Sequence, residues 1–142
     1  MSNMYDNVYK IIKHHESKDD FAHAEVTEEM LVSSEKRLNV RIPAEYRRFL
    51  KTFGHGGIGG MEVLGIGKNG AMVFEETTLR FRGYGMPNNL LVIENCDEWV
   101  FCINADDGKV VMWSVGRAEY SEAYHCFDEF LSDRVNDILE NM

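Results

Sequence analysis

Along the first fifty residues the apolar positions recur at the spacing of an α-helix. Tyr5, Val8, Tyr9 and Ile12 share one face of a helix predicted over residues 3–15. Lys10, Lys13, His14 and His15 gather toward its end, where positive charge suits the helix dipole. Residues 16–26 are a polar connector. Thr27 suits an N-cap, Glu28 and Glu29 fill the first turn, and Val26 stands where it can staple onto Leu31. This second helix runs to Leu38, with Leu31, Ser34 or Glu35, and Leu38 inward. Pro43 predicts the start of a third, since proline at the first helical position loses no hydrogen bond and already has a helical φ. Tyr46, Phe49, Leu50 and Phe53 form the inward face of that helix, and Gly54 is its expected left-handed C-cap.

After Gly60 the pattern changes. Residues 61–66 read as a strand and 67–70 as its turn. Residues 71–81 fit a helix through Val73, Phe74, Thr77 and Phe81, although 77–81 also fits a strand; a short helix is the preferred reading. Residues 83–89 are a loop. Strands follow at 90–93, 99–104 and 110–115, the last two joined by Ala105-Asp106-Asp107-Gly108, where Asp-Gly predicts a type I′ hairpin turn. The connector 116–126 has room for a short edge strand. A last helix spans 127–140, with Phe127, Phe130, Leu131, Val135, Ile138 and Leu139 inward. The expected fold is α+β: a single antiparallel sheet packed against N-terminal and C-terminal helices, in one domain over residues 1–142.

The run Val40 to Gly60 adds a resemblance. Its order of Ile42-Pro43, Tyr46, Phe49-Leu50 and then Gly56-Gly57 resembles the signature of the SMI1/KNR4 family, also called the SUKH superfamily. Glu35, Leu38 and Val40 just ahead of it, and Phe127, Phe130 and Leu131 near the end, also fit that family's pattern. His55 departs from it, standing where asparagine is common. The resemblance implies an SMI1/KNR4-like α+β fold. From bacterial members it implies an immunity protein that neutralises a toxin, often a nuclease, by direct binding. From eukaryotic members it implies the alternative, a regulatory adaptor in cell-wall signalling.

Charge sharpens the picture. Residues 1–90 hold equal numbers of acidic and basic side chains, whereas residues 91–142 hold three basic and twelve acidic, so the whole net charge of −9 sits on the last third. Such a field repels phosphate backbones and anionic membranes and attracts basic proteins. No apolar run approaches the roughly 20 residues of a membrane span. No secretory leader is apparent at the N-terminus, and Cys96, Cys102 and Cys126 make no C-x-x-C pair, so a cytoplasmic protein with reduced thiols is expected.

Candidate chemistry is sparse. The glycines from 54 to 60 follow a helix, where a phosphate loop would follow a strand and carry Gly-Lys-Ser/Thr. His125-Cys126, Cys102 and His55 have no metal-ligand spacing, and no Gly-x-Ser-x-Gly elbow exists. The expectation is therefore a binding protein without catalytic residues, cofactor or metal. Glu94, Asp97, Glu98, Asp106 and Asp107, with Trp99 and Trp113 close in sequence, have the composition of a site for a basic protein partner, an acidic rim around aromatic anchors. The competing reading puts both tryptophans in the core. The expected partner is a basic protein, in the toxin reading a nuclease; oligomeric state is left open.

Overall fold

The computed structural model describes residues 4–141, with side chains from Asp6 onward. Asn3 and the side chain of Tyr5, both placed above in the first helix, lie outside the described residues. That helix is α1 (Met4–His15), and Val8, Tyr9 and Ile12 are buried as their spacing predicts. In α2 (Glu28–Leu38) the buried positions are Leu31, Ser34 and Leu38. Thr27 caps it: its Oγ1 accepts from the Met30 N–H at 3.2 Å. The Thr27 N–H in turn donates to Met30 Sδ at 3.5 Å, so a thioether stands where a capping box usually has a carboxylate or amide.

In α3 (Ala44–Thr52) the proline lies one position earlier than predicted. Pro43 is the N-cap, with φ −58° and ψ 147°, and its carbonyl accepts from the Arg47 N–H at 2.9 Å. Its ring fixes φ but leaves ψ extended, which the N-cap requires. Gly54 takes the left-handed conformation expected of it, with φ 79°. Tyr46, Phe49, Leu50 and Phe53 are fully buried. Phe53 meets Phe21 at 4.5 Å and Tyr9 at 5.0 Å between ring centroids, while Tyr46 meets Phe127 at 5.4 Å and Phe74 at 5.5 Å. Each ring contributes roughly 1.5–3 kcal/mol by burial. Through them α3 joins both ends of the chain.

Residues 61–66 are not a strand of the sheet. Among the described residues Val63 bridges only Gly56 and Ile66 only Met72, and the Leu64 N–H donates to Ile93 O at 2.8 Å. The cause is close backbone packing against the glycine loop: a Cβ on Gly65 would lie 1.9 Å from Gly54 O. Tyr46 OH donates to Leu64 O at 2.5 Å and fixes the segment over α3. A 3-10 turn at Lys68–Gly70 follows, and then α4 (Val73–Arg82), the helix preferred for this stretch.

The sheet is an antiparallel meander of β1 (Leu90–Asn95), β2 (Val100–Asn104), β3 (Val110–Trp113) and β4 (Ser121–Tyr124), in that order. β4 is the short edge strand for which the connector had room. The β2–β3 connection is not a type I′ turn. It is a four-residue loop closed by the Asn104 N–H on Lys109 O at 2.8 Å, and among residues 105–108 only Gly108 has positive φ, at 80°. Asn104 Oδ1 accepts from the Asp106 N–H and Asp107 Oδ1 from the Lys109 N–H, at 3.0 and 2.9 Å, so Asx bonds shape the loop. Neighbouring residues of β2 point to opposite faces. Phe101 meets Phe130 of α5 (Phe127–Glu140) at 5.2 Å, whereas Cys102 Sγ donates to Met86 Sδ, in the loop after α4, at 3.8 Å. Helical layers thus cover both sides, and α1 packs along α5.

Candidate partner-binding surface

The structure separates the residues that composition groups. Glu94 is 4% exposed, and its carboxylate is held by Arg134 through Nε at 2.9 Å and Nη2 at 2.7 Å. It also accepts from the Glu62 N–H at 3.3 Å. It therefore locks α5 to the sheet and is no part of a rim. Trp113 is buried too, its Nε1 donating to Arg117 O at 2.9 Å and its ring edge-on to Phe81, so it is a core residue. Trp99 is half-buried, edge-on to Phe101 at 6.2 Å, and lines a shallow cavity of about 340 Å³ with Met112, Arg117, Glu119 and Tyr120.

The four remaining carboxylates are exposed but lie apart. Asp97 and Glu98 form the β1–β2 turn, where Asp97 has φ 68° and its N–H donates to Asn95 Oδ1 at 2.9 Å. Asp106 and Asp107 lie in the β2–β3 loop. Successive turns of a meander sit at opposite ends of the shared strand. β2 has five residues, so the two pairs are separated by roughly 15 Å. The seven residues are not one patch.

A second group of carboxylates lies along β4 and α5. Glu129, Asp133 and Asp137 stand one turn apart on α5. Tyr124 OH donates to Asp133 Oδ2 at 2.5 Å and ties this row to β4. Burial, and then the Asp133 carboxylate, push the Tyr124 phenol up to about 12. The i,i+4 spacing of these residues is visible in the sequence, but their position beside an edge strand is not. Glu122 of β4 pairs with Lys109 at 3.1 Å.

Other titratable groups are structural. Asp128 lies in the first turn of α5, its N–H donating to Glu45 Oε1 at 2.9 Å. Burial, and then the Glu45 carboxylate, push its carboxyl up to about 6, against the pull of Arg48. Burial raises all three cysteine thiols, Cys96 to about 11. His55 Nδ1 accepts from the Gly65 N–H at 3.0 Å, so Nε2 is the donor in its 2.8 Å bond to Glu62. This histidine ties the glycine loop to the 61–66 segment. Among the described residues no three His, Cys, Asp or Glu side chains gather as a metal ion would need, and no helix is long and apolar enough to cross a membrane.

A sequence model of the family described as SMI1-KNR4 cell-wall matches residues 6–136. The chain belongs to the SMI1-KNR4 family. The fold has a counterpart among solved structures. A crystal structure of a protein from Pseudomonas syringae pv. tomato superposes with a TM-score of 0.73 at 21% identity, covering 90% of this chain and 96% of that one. At that identity the likeness carries the fold alone. The family match agrees with the resemblance in the 40–60 run, where Ile42 and Tyr46 are buried around α3 and Gly54 and Gly56 take positive φ.

Proposed function

We propose that this SMI1-KNR4 protein is an immunity protein, binding a basic toxin, of nuclease type, and neutralising it by occupying or flanking its active cleft. The observation that carries the reading is where the surplus charge sits. Of the twelve acidic side chains in residues 91–142 only Glu94 and Asp128 are buried. Of the three basic ones, Arg134 is engaged by Glu94 and Lys109 by Glu122. A solvated anionic field therefore covers the sheet turns, β4 and the outer side of α5. A nuclease cleft must attract phosphates and is cationic, so such a field draws the two together and raises the rate of encounter. The bacterial branch of the family, as the resemblance implies, supplies the biological setting.

Co-expression tests it. The protein is expressed with the product of each neighbouring reading frame, and growth is scored alongside co-purification. Rescue from a basic, growth-arresting product with which it co-purifies in a defined ratio is the expected result. A non-toxic binding partner in its place would favour the regulatory adaptor. Failure to bind or protect against any neighbouring product would overturn the immunity reading.

A further inference from the structure

The two edges of the sheet are finished differently. On β1 two backbone groups are engaged from outside the sheet: Thr78 Oγ1 accepts from the Val92 N–H at 2.9 Å, and the Leu64 N–H donates to Ile93 O at 2.8 Å. On β4, among the described residues, no hydrogen bond reaches the backbone of Ser121–Tyr124 from outside the sheet. The chain is exposed without interruption from Val115 to Glu122. Val115 is 58% exposed and Tyr120 37%, so apolar surface lies along the approach to the strand. An unpaired edge is a ready template for another strand.

Charge decides which strand. Glu122 pairs with Val111 and stands on one face of the sheet, while Tyr124, bonded to Asp133, stands beside Phe130 on the other. Carboxylates therefore flank the edge on both faces, with Glu122 already offset by Lys109 at 3.1 Å, so the Asp133–Asp137 row carries the larger share of the negative charge. A second copy of this chain, pairing antiparallel about a twofold axis, would bring these carboxylates against their own equivalents. We infer that β4 is the docking edge for an extended, basic segment of the protein partner, which adds there as a fifth strand with its cationic side chains between Glu122 and the Asp133–Asp137 row. The inference rests on the reading that the partner is a basic protein, and adds how it is held.

The probe is an eight-residue peptide of repeated Lys-Lys-Val-Val, which sets lysine on both faces of an added strand, added to the full chain while amide hydrogen exchange is followed by NMR. At saturation the amides within 121–124 that face outward should slow about tenfold while those of β1 do not change. The same peptide N-methylated at alternate residues keeps its charge but cannot pair, and should give no protection. A glutamate–valine peptide, or the lysine peptide with a Glu122→Lys/Asp133→Lys variant that retains its circular dichroism, should also give none. Equal effects from the methylated and unmethylated peptides would overturn the inference by reducing it to charge attraction. Slow exchange at 121–124 without peptide, rising with protein concentration, would overturn it in favour of self-pairing. Toxin neutralisation is measured separately. Protection at 121–124 without neutralisation sinks the immunity reading alone, and neutralisation without protection sinks the edge alone.

Discussion

Asp128 shows how much one side chain can hold back. Its carboxyl is 4% exposed, one oxygen has no hydrogen-bond partner, and Glu45 stands beside it with Arg48 as the nearby cation. With the group pushed up to about 6, the folded chain takes up a proton that the unfolded chain, at an ordinary value near 3.8, does not. Stability from this site is therefore gained as pH falls through about 6, is fully present below about 4, and is lost again as pH rises through 6. Asp128→Asn removes the proton linkage. The variant should be more stable than the parent by about 1–2 kcal/mol at pH 7.5, and the gap should close near pH 4. Urea unfolding of both proteins at the two pH values measures it. A constant gap would mean that Asp128 is not the titrating group. None of this was legible in the sequence, because the partner carboxylate, Glu45, lies 83 residues away. Glu94 was obscured in the same way. Nothing local distinguishes a solvated acid near a strand end from one clamped by an arginine 40 residues on.

The elements were far more legible than the side chains' destinations. Helical periodicity located α1, α2, α3 and α5, and short apolar runs bounded by turn signals located β1, β2 and β3. These depend on local spacing, which the sequence carries directly. Residues 61–66 failed because an extended, apolar segment looks the same whether its partner is a strand or a glycine loop. Trp113 was misassigned to a surface because a strand with both faces covered gives no sign of which side is solvent. The pairing of Glu94 with Arg134 is the tie between β1 and α5, and it allows a test. Arg134→Ala leaves a buried, unpaired carboxylate and should cost about 3–5 kcal/mol in chemical denaturation. Combining Glu94→Leu with Arg134→Met should recover most of that loss. If the double variant is as unstable as the single one, burial of an uncompensated charge is not the cause.

At the scale of the whole molecule, the exposed carboxylates act as one field even though they form no single patch. Association with a cationic partner should slow steeply as salt rises, since the Debye length shrinks from about 30 Å at 0.01 M to about 8 Å at 0.15 M. The acidic turns sit at opposite ends of β2, so replacing Asp97 and Glu98 by lysine, or Asp106 and Asp107 by lysine, should each slow association only partly. Replacing all four should flatten the salt dependence, as read by stopped-flow fluorescence. Full loss from one pair alone would locate contact at that turn and argue against a distributed field.

The closure of β1 by Thr78 and Leu64 has a consequence for assembly. A ribbon that grows by strand addition needs every subunit to offer two free flanks, one to receive and one to extend. This sheet offers one, so whatever joins it is followed by nothing further on the far side. Strand addition at β4 alone would therefore give complexes of finite size, where a sheet open on both flanks could polymerise.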